Sequence, residues 1–135
     1  MKWVPMLNIV GDHATYLVQY AAQLQSDIAT VARNVSPGFV RTSKSTAELC
    51  RDAVEAIAVA RGLPGQVATL ILPADVSWSE GGVPCAPPPA PTPEVADDAV
   101  VRAIAEAIRA GGKTALLLGG NALRERGLVC AARIA

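Results

Sequence analysis

Apolar runs and short polar segments follow one another along this chain in an order that predicts alternating strands and helices. Residues 4–10 are mostly apolar and β-favouring, and they run into Gly11, after which polar side chains follow. Such a run is typical of a parallel strand buried on both faces, and a glycine lets the backbone turn where the strand ends. Residues 67–72 form a second apolar run, bounded by Gly65 and Pro73. We therefore predict two buried strands.

The clearest helical pattern lies between these two strands. Ser45 and Glu48 have the spacing of a capping box, in which each side chain accepts a hydrogen bond from the other residue's backbone N–H. The apolar residues that follow share one helical face: Leu49, Ala53, Ile57 and Ala60. Gly62 and Pro64 are typical of a helix end. The pattern predicts a helix that is capped at Ser45 and stops at Gly62 and Pro64.

Two shorter elements are expected between the first strand and this helix. Ser26 or Asp27 is placed to cap a short helix over residues 28–32. The apolar residues within 34–42, around Pro37-Gly38, indicate a short strand beside a turn. Strands that alternate with helices are typical of an α/β fold with a parallel sheet, so residues 1–76 are interpreted as one α/β unit.

The composition changes at residues 77–91, where glycine and proline become frequent. Repeated proline favours extended polyproline II with little packing of its own. We interpret this stretch as a Pro-rich linker, and the alternative is a ligand for a proline-recognition domain.

A second α/β unit is predicted over residues 92–135. Thr92 is placed to cap a helix that has Pro93 at its first position, and Gly111-Gly112 ends that helix. An apolar strand is expected over residues 114–118. Gly119-Gly120 then leads into a last helical segment, residues 122–135.

Charge and cysteine content narrow the function classes. The 135-residue chain has 12 basic and 12 acidic side chains, so nothing favours a nucleic-acid or anionic-membrane partner. No apolar run is long enough for a membrane span, and the amino terminus does not resemble a signal peptide. Cys50, Cys85 and Cys130 are scattered along the sequence, which argues against zinc and favours reduced thiols. We expect a soluble, cytoplasmic protein.

Two places could carry chemistry. Asp12 and His13, the single histidine, follow the first strand, where ligands bind in open α/β sheets. The alternative is that Asp12 and His13 are ordinary turn residues. Asp27 and Asp75 are expected to cap a helix or a turn. Gly119-Gly120 could receive a phosphate through backbone N–H groups, and the alternative is that the two glycines only form a tight turn between strand and helix.

The order of several motifs adds a family resemblance. The first is Asn8-Ile-Val-Gly-Asp-His-Ala-Thr-Tyr16, followed by Ser26-Asp27-Ile28 and Ala32-Arg33-Asn34-Val35-Ser36. The next is Pro64-Gly-Gln-Val-Ala-Thr-Leu-Ile-Leu-Pro-Ala-Asp-Val76, and the last is Lys113-Thr-Ala-Leu-Leu-Leu-Gly-Gly120. In this order they resemble segments of thiamine-diphosphate-dependent enzymes of the acetolactate synthase large subunit type. The resemblance covers essentially the whole chain.

The resemblance implies a piece of a larger enzyme of three α/β domains. Residues 1–76 would be the C-terminal half of a doubly wound, three-layer pyrimidine-binding domain. Residues 77–91 would be the linker, and residues 92–135 the start of a Rossmann-like central domain. Family members join or decarboxylate 2-oxo acids with thiamine diphosphate and magnesium, normally as homo-oligomers with the cofactor between subunits.

The resemblance also implies roles for particular residues. Gly11, Asp12 and His13 would lie near the aminopyrimidine of the cofactor, and Gly119 and Gly120 would lie where some members bind flavin dinucleotide. The family's activating glutamate and its magnesium-diphosphate motif have no match in these residues, so no catalytic residue and no metal ligand is expected. We expect the isolated chain to be inactive or to need association with missing segments. The alternative is a stand-alone α/β binding or scaffold module with a Pro-rich interaction tract.

Overall fold

The computed structural model describes residues 4–86, 88–89 and 91–135. These residues belong to two units, one within residues 3–91 and one within residues 92–135. The Pro-rich stretch predicted at residues 77–91 contains Pro87 and Ala90, which lie outside the described residues, as do Met1, Lys2 and Trp3. No described residue between Trp78 and Asp98 belongs to a helix or strand.

The first unit is an α/β fold built on a parallel sheet of three strands. Strand β3 is central, with β1 on one side and β2 on the other, and both neighbours run parallel to it. This confirms the predicted α/β class and parallel sheet. The elements follow in the order β1 Met6–Asp12, a 3-10 segment Thr15–Tyr20, α1 Ile28–Arg33, β2 Val40–Thr42, α2 Thr46–Ala60, β3 Val67–Pro73 and α3 Ala74–Trp78.

Small side chains let helix α2 pack closely on the sheet. Ala56 on α2 and Ala68 on β3 have no exposed surface, and Phe39 and Ala60 complete the buried cluster. Ile71, in the centre of β3, is only 1% exposed. Residues 68–71 of β3 are each at most 2% exposed, and successive side chains of a strand point to opposite faces. Both faces of β3 are therefore buried, which explains its nearly continuous apolar sequence.

Polar side chains are also buried in this unit, and each has a partner. Thr69 on β3 shares a hydrogen bond of 2.6 Å with Ser36 and accepts one of 3.4 Å from Asn8 Nδ2. Asp52 on α2 is 3% exposed and accepts a hydrogen bond of 2.9 Å from the Ser43 hydroxyl, which is fully buried. Among the described residues, no buried side-chain nitrogen or oxygen lacks a partner, as stable interiors require.

Two local predictions for this unit are corrected. Gly11 does not turn the chain, because it lies inside β1 opposite Leu72 and the ladder continues to Asp12. Ser45 precedes α2 as predicted, but its side chain makes no capping hydrogen bond. Its backbone carbonyl accepts from the N–H of Glu48 instead, and the Glu48 carboxylate lies 3.5 Å from Arg51. The cap of α1 is Asp27, one of the two predicted residues, whose carboxylate accepts from the N–H of Thr30.

The second unit contains helices α4 Asp98–Arg109 and α5 Glu125–Ile134 and a short 3-10 segment, Gly120–Leu123. The strand predicted over residues 114–118 is absent, because no other strand exists among the described residues of this unit to pair with it. The helix predicted from Pro93 begins only at Asp98, because Asp97 caps it by accepting from the N–H of Ala99.

Candidate functional site

The candidate site lies where β1 and β3 end side by side. The two strands are parallel, and their last paired residues are Asp12 and Pro73. The segments that leave the strands, with His13 on one and Asp75 on the other, therefore begin at the same edge of the sheet. Ligands of open α/β sheets bind outside this carboxyl edge. The structure thus places the sequence-predicted Asp12 and His13 where a ligand site is expected.

An open groove of about 620 Å³ lies at this edge. Its wall is mostly apolar, and Asp12 supplies a carboxylate and His13 an imidazole. Gly11 lies on the wall as well, and a Cβ added there would meet no atom within 4 Å. The larger apolar and aromatic side chains of the wall are Ile9, Tyr16, Leu17, Leu24, Ile28, Leu72 and Trp78. Such a surface suits a flat ring that carries a few polar atoms.

Backbone geometry at the strand end orients the two ionisable residues. The Asp12 carboxylate accepts a hydrogen bond of 2.7 Å from the backbone N–H of His13. Ala14 follows and is only 2% exposed, so it anchors the chain just after the histidine. Asp12 and His13 are each half-buried, which leaves part of both side chains accessible from the groove.

Asp75 contributes to the site in a way that the sequence did not reveal. Its carboxylate accepts hydrogen bonds from both the backbone N–H and the hydroxyl of Thr15, the first at 2.8 Å. These two bonds hold the pKa of Asp75 below its ordinary value, the side-chain bond contributing most. Asp75 was predicted to cap a helix or turn, but its bonds to Thr15 join α3 to the segment after β1. The available signal was its position just beyond the neighbouring parallel strand.

The groove lacks the groups that usually bind phosphate. Among the described residues, its lining side chains include one carboxylate, that of Asp12, and no lysine or arginine. Within the described ranges, no group of three or more His, Cys, Asp or Glu residues is placed to hold a metal ion. The groove can therefore take a ring, but it has neither cations nor clustered carboxylates for a metal-bound diphosphate.

The second sequence-predicted candidate, Gly119-Gly120, belongs to the other unit. Gly119 is extended, and Gly120 has φ of +55°, a left-handed conformation that favours glycine. Gly119 precedes the 3-10 segment Gly120–Leu123 and Gly120 opens it, whereas α5 begins only at Glu125. The binding of flavin dinucleotide at these glycines stays a prediction.

Comparison with known proteins gives one informative match. The chain is 47% identical over 131 residues to a Mycobacterium tuberculosis (strain ATCC 25618 / H37Rv) protein with the name "Putative acetolactate synthase large subunit IlvX". The matched region is 97% of this chain but 25% of the relative, so the chain spans about a quarter of that protein's length. No protein-family profile matches the chain. In the part of the chain that the structure describes, no helix is both long enough and apolar enough to cross a bilayer.

Proposed function

We propose that this chain corresponds to a segment of a thiamine-diphosphate-dependent 2-oxo acid enzyme of the acetolactate synthase type. The observation that carries the proposal is the identity of 47% along almost the whole chain to a relative with that name. The α/β fold with a groove at the carboxyl ends of parallel strands supports it independently. Small 2-oxo acids would be the substrates of the complete enzyme, which would act as a homo-oligomer.

The groove would form one wall of the site for the cofactor's aminopyrimidine ring. The apolar side chains fit a planar ring, and Asp12 and His13 supply polar groups at its edge. Thr15 and Asp75 would keep the segment that carries His13 in place through their paired hydrogen bonds. The cofactor, when bound, supplies the electron sink that 2-oxo acid decarboxylation and carboligation need.

The diphosphate and magnesium do not fit this groove, because the described residues of its lining include a single carboxylate and neither lysine nor arginine. Further polypeptide, from segments other than these residues, would have to supply the metal site and the glutamate that engages the pyrimidine. We therefore propose that these 135 residues alone bind the ring weakly and do not turn over 2-oxo acid.

A ring-binding experiment tests the groove. His13 is the single histidine, so its imidazole NMR signals report on the groove alone, and Phe39, the single phenylalanine, is a buried internal control. We expect the isolated aminopyrimidine moiety of thiamine at millimolar concentration to shift the His13 signals and leave Phe39 unchanged. Inorganic diphosphate should shift neither. Equal responses to the two probes, or no response to the pyrimidine, would contradict the assignment of the groove.

A turnover assay tests the second part of the proposal. The purified chain with thiamine diphosphate, magnesium and pyruvate should release no carbon dioxide above a sample without protein. Cofactor-dependent release that survives purification to homogeneity would show that these residues contain a complete catalytic site, and would overturn the proposal that further polypeptide is needed.

A further inference from the structure

Two cysteines that are 35 residues apart in sequence are neighbours in the structure. Cys50 lies on helix α2, and Cys85 lies in the extended chain that follows α3. The backbone N–H of Cys85 donates a hydrogen bond of 3.0 Å to the Cys50 sulfur. Both residues belong to the same unit. The spacing of the cysteines in the sequence gave no indication of this contact.

The chain around Cys85 lies along α2 over several residues. Gly82, Val83 and Pro84 form one wall of a shallow groove of about 330 Å³, and Thr46, Leu49 and Cys50 form the other. A Cβ added at Gly82 would lie 3.9 Å from Cγ2 of Thr46, which is ordinary van der Waals contact. The Cys85 sulfur also lies 3.5 Å from the carbonyl oxygen of Val83. The contact between the cysteines is therefore part of a longer packed segment.

The two thiols also interact with each other. The pKa of Cys85 lies above its ordinary value, first because its side chain shares a hydrogen bond with Cys50 and next because of burial. Cys85 is exposed and Cys50 is half-buried, so a small reagent can reach the pair. With only two sulfurs and no third ligand among the described residues, the pair does not form a metal site.

We propose that Cys50 and Cys85 form a dithiol site that low-molecular-weight disulfides oxidise to an intramolecular disulfide. One cysteine thiolate attacks the reagent disulfide, which gives a mixed disulfide on the protein and releases one reagent thiolate. The second cysteine thiolate then attacks the protein sulfur of that mixed disulfide and releases the other reagent thiolate. The protein loses two electrons, the reagent gains them, and the two thiol protons end on the two released thiols.

The bond would fasten the extended chain after α3 to α2. Because the sulfurs already lie in one packed surface, the second step is intramolecular, with an effective concentration on the order of millimolar. At micromolar protein, ring closure should therefore be about a thousandfold faster than any reaction between two chains. Thiolate is the attacking species, so the rate should rise with pH through the alkaline range.

Oxidised glutathione is the probe, applied to the full reduced chain at micromolar concentration. Trypsin places the three cysteines in three different peptides, residues 45–51, 62–102 and 127–133, so mass spectrometry distinguishes every pairing. We expect Cys50 and Cys85 to lose their free thiols together, while Cys130 either stays free or carries glutathione. We expect the main product to be the peptide pair 45–51 and 62–102, without bound glutathione.

Cys130→Ser is the matched control, and it should form the same cross-linked peptide pair at an unchanged rate. Cys50→Ser and Cys85→Ser should instead stop at the mixed disulfide with glutathione. In strong denaturant the same oxidation should give the Cys50–Cys85 disulfide no more often than the other pairings. This comparison shows whether the fold brings the two cysteines together. Stable glutathione adducts on both Cys50 and Cys85, or Cys130 cross-links in equal yield, would overturn the proposal.

Discussion

Asp52 offers a sharp test of how strand β2 is held to helix α2. Its carboxylate is 3% exposed and accepts hydrogen bonds from the Ser43 hydroxyl at 2.9 Å and from Arg41 at 3.1 Å. Arg41 also pairs with Glu55, one turn further along α2, at 2.9 Å through its second nitrogen. These contacts raise the pKa of Arg41 above its ordinary value. We therefore predict that Asp52→Ala strongly destabilises the first unit.

The expected loss of unfolding free energy depends on which groups each substitution leaves without a partner. Without Asp52, the fully buried Ser43 hydroxyl loses its acceptor, which costs about 1–3 kcal/mol. Removing one member of a buried charged pair costs about 3–5 kcal/mol. Arg41 is 37% exposed and keeps Glu55, so we expect the lower end of that range, about 3 kcal/mol. Glu55→Ala is the matched control, and because Glu55 is 48% exposed we expect a loss below about 1 kcal/mol.

Urea unfolding of the full chain, followed by far-ultraviolet circular dichroism, measures both losses. With an m-value of about 1.5 kcal/mol/M, Asp52→Ala should lower the midpoint by about 2 M. Ser43→Ala combined with Asp52→Ala should cost less than the sum of the single changes, because both remove the same hydrogen bond. If Asp52→Ala shifts the midpoint no more than Glu55→Ala does, the buried carboxylate does not hold β2 to α2 as we argue.

Two further predictions concern the site edge and the centre of the sheet. Thr15→Val removes the hydroxyl that lowers the pKa of Asp75, so carboxyl NMR should show that pKa moving up toward about 3.9. Because the folded-state pKa of Asp75 is depressed, its contribution to stability is complete above the ordinary pKa and is lost as pH falls through the depressed value. If the pKa of Asp75 is the same in Thr15→Val as in the unmutated chain, the hydroxyl contact does not lower it. Ile71→Ala should cost about 2–5 kcal/mol and Ile71→Val about 0.5–1.5 kcal/mol in the same urea assay, since Ile71 is 1% exposed. Similar costs for the two would mean that the site collapses around the smaller side chain.

Residue periodicity was sufficient to predict the elements whose apolar pattern lies within their own sequence. Helix α2 has a continuous apolar stripe and β3 has a nearly continuous apolar run, and both were predicted within a few residues of their observed ends. The strand predicted over residues 114–118 has a similar apolar sequence, yet it is not formed. A strand depends on a hydrogen-bonded neighbour, and no local pattern reports whether that neighbour is present.

Contacts between distant residues explain what sequence reasoning missed at the site. The bonds of Asp75 to Thr15 span 60 residues, and the contact of Cys85 with Cys50 spans 35. Both depend on which elements become neighbours in the fold, namely α3 with the segment after β1 and the extended chain with α2. Asp12 and His13 could be predicted from the sequence because both follow the end of one strand. The contacts of Asp75 and Cys85 could not, because each joins two segments that are distant in the sequence.

The make-up of the groove restricts what the strand end can do chemically. Leu72 and Trp78 provide apolar surface, whereas Asp12 supplies a carboxylate and His13 an imidazole. A histidine at a strand end suggests proton transfer, but a proton carrier needs a reacting partner. Among the residues that the structure describes, neither lysine nor arginine lies on this wall to bind an anionic substrate. Ring recognition requires only the surface that is present. We therefore propose that His13 lines a ring site and does not act as an independent acid or base.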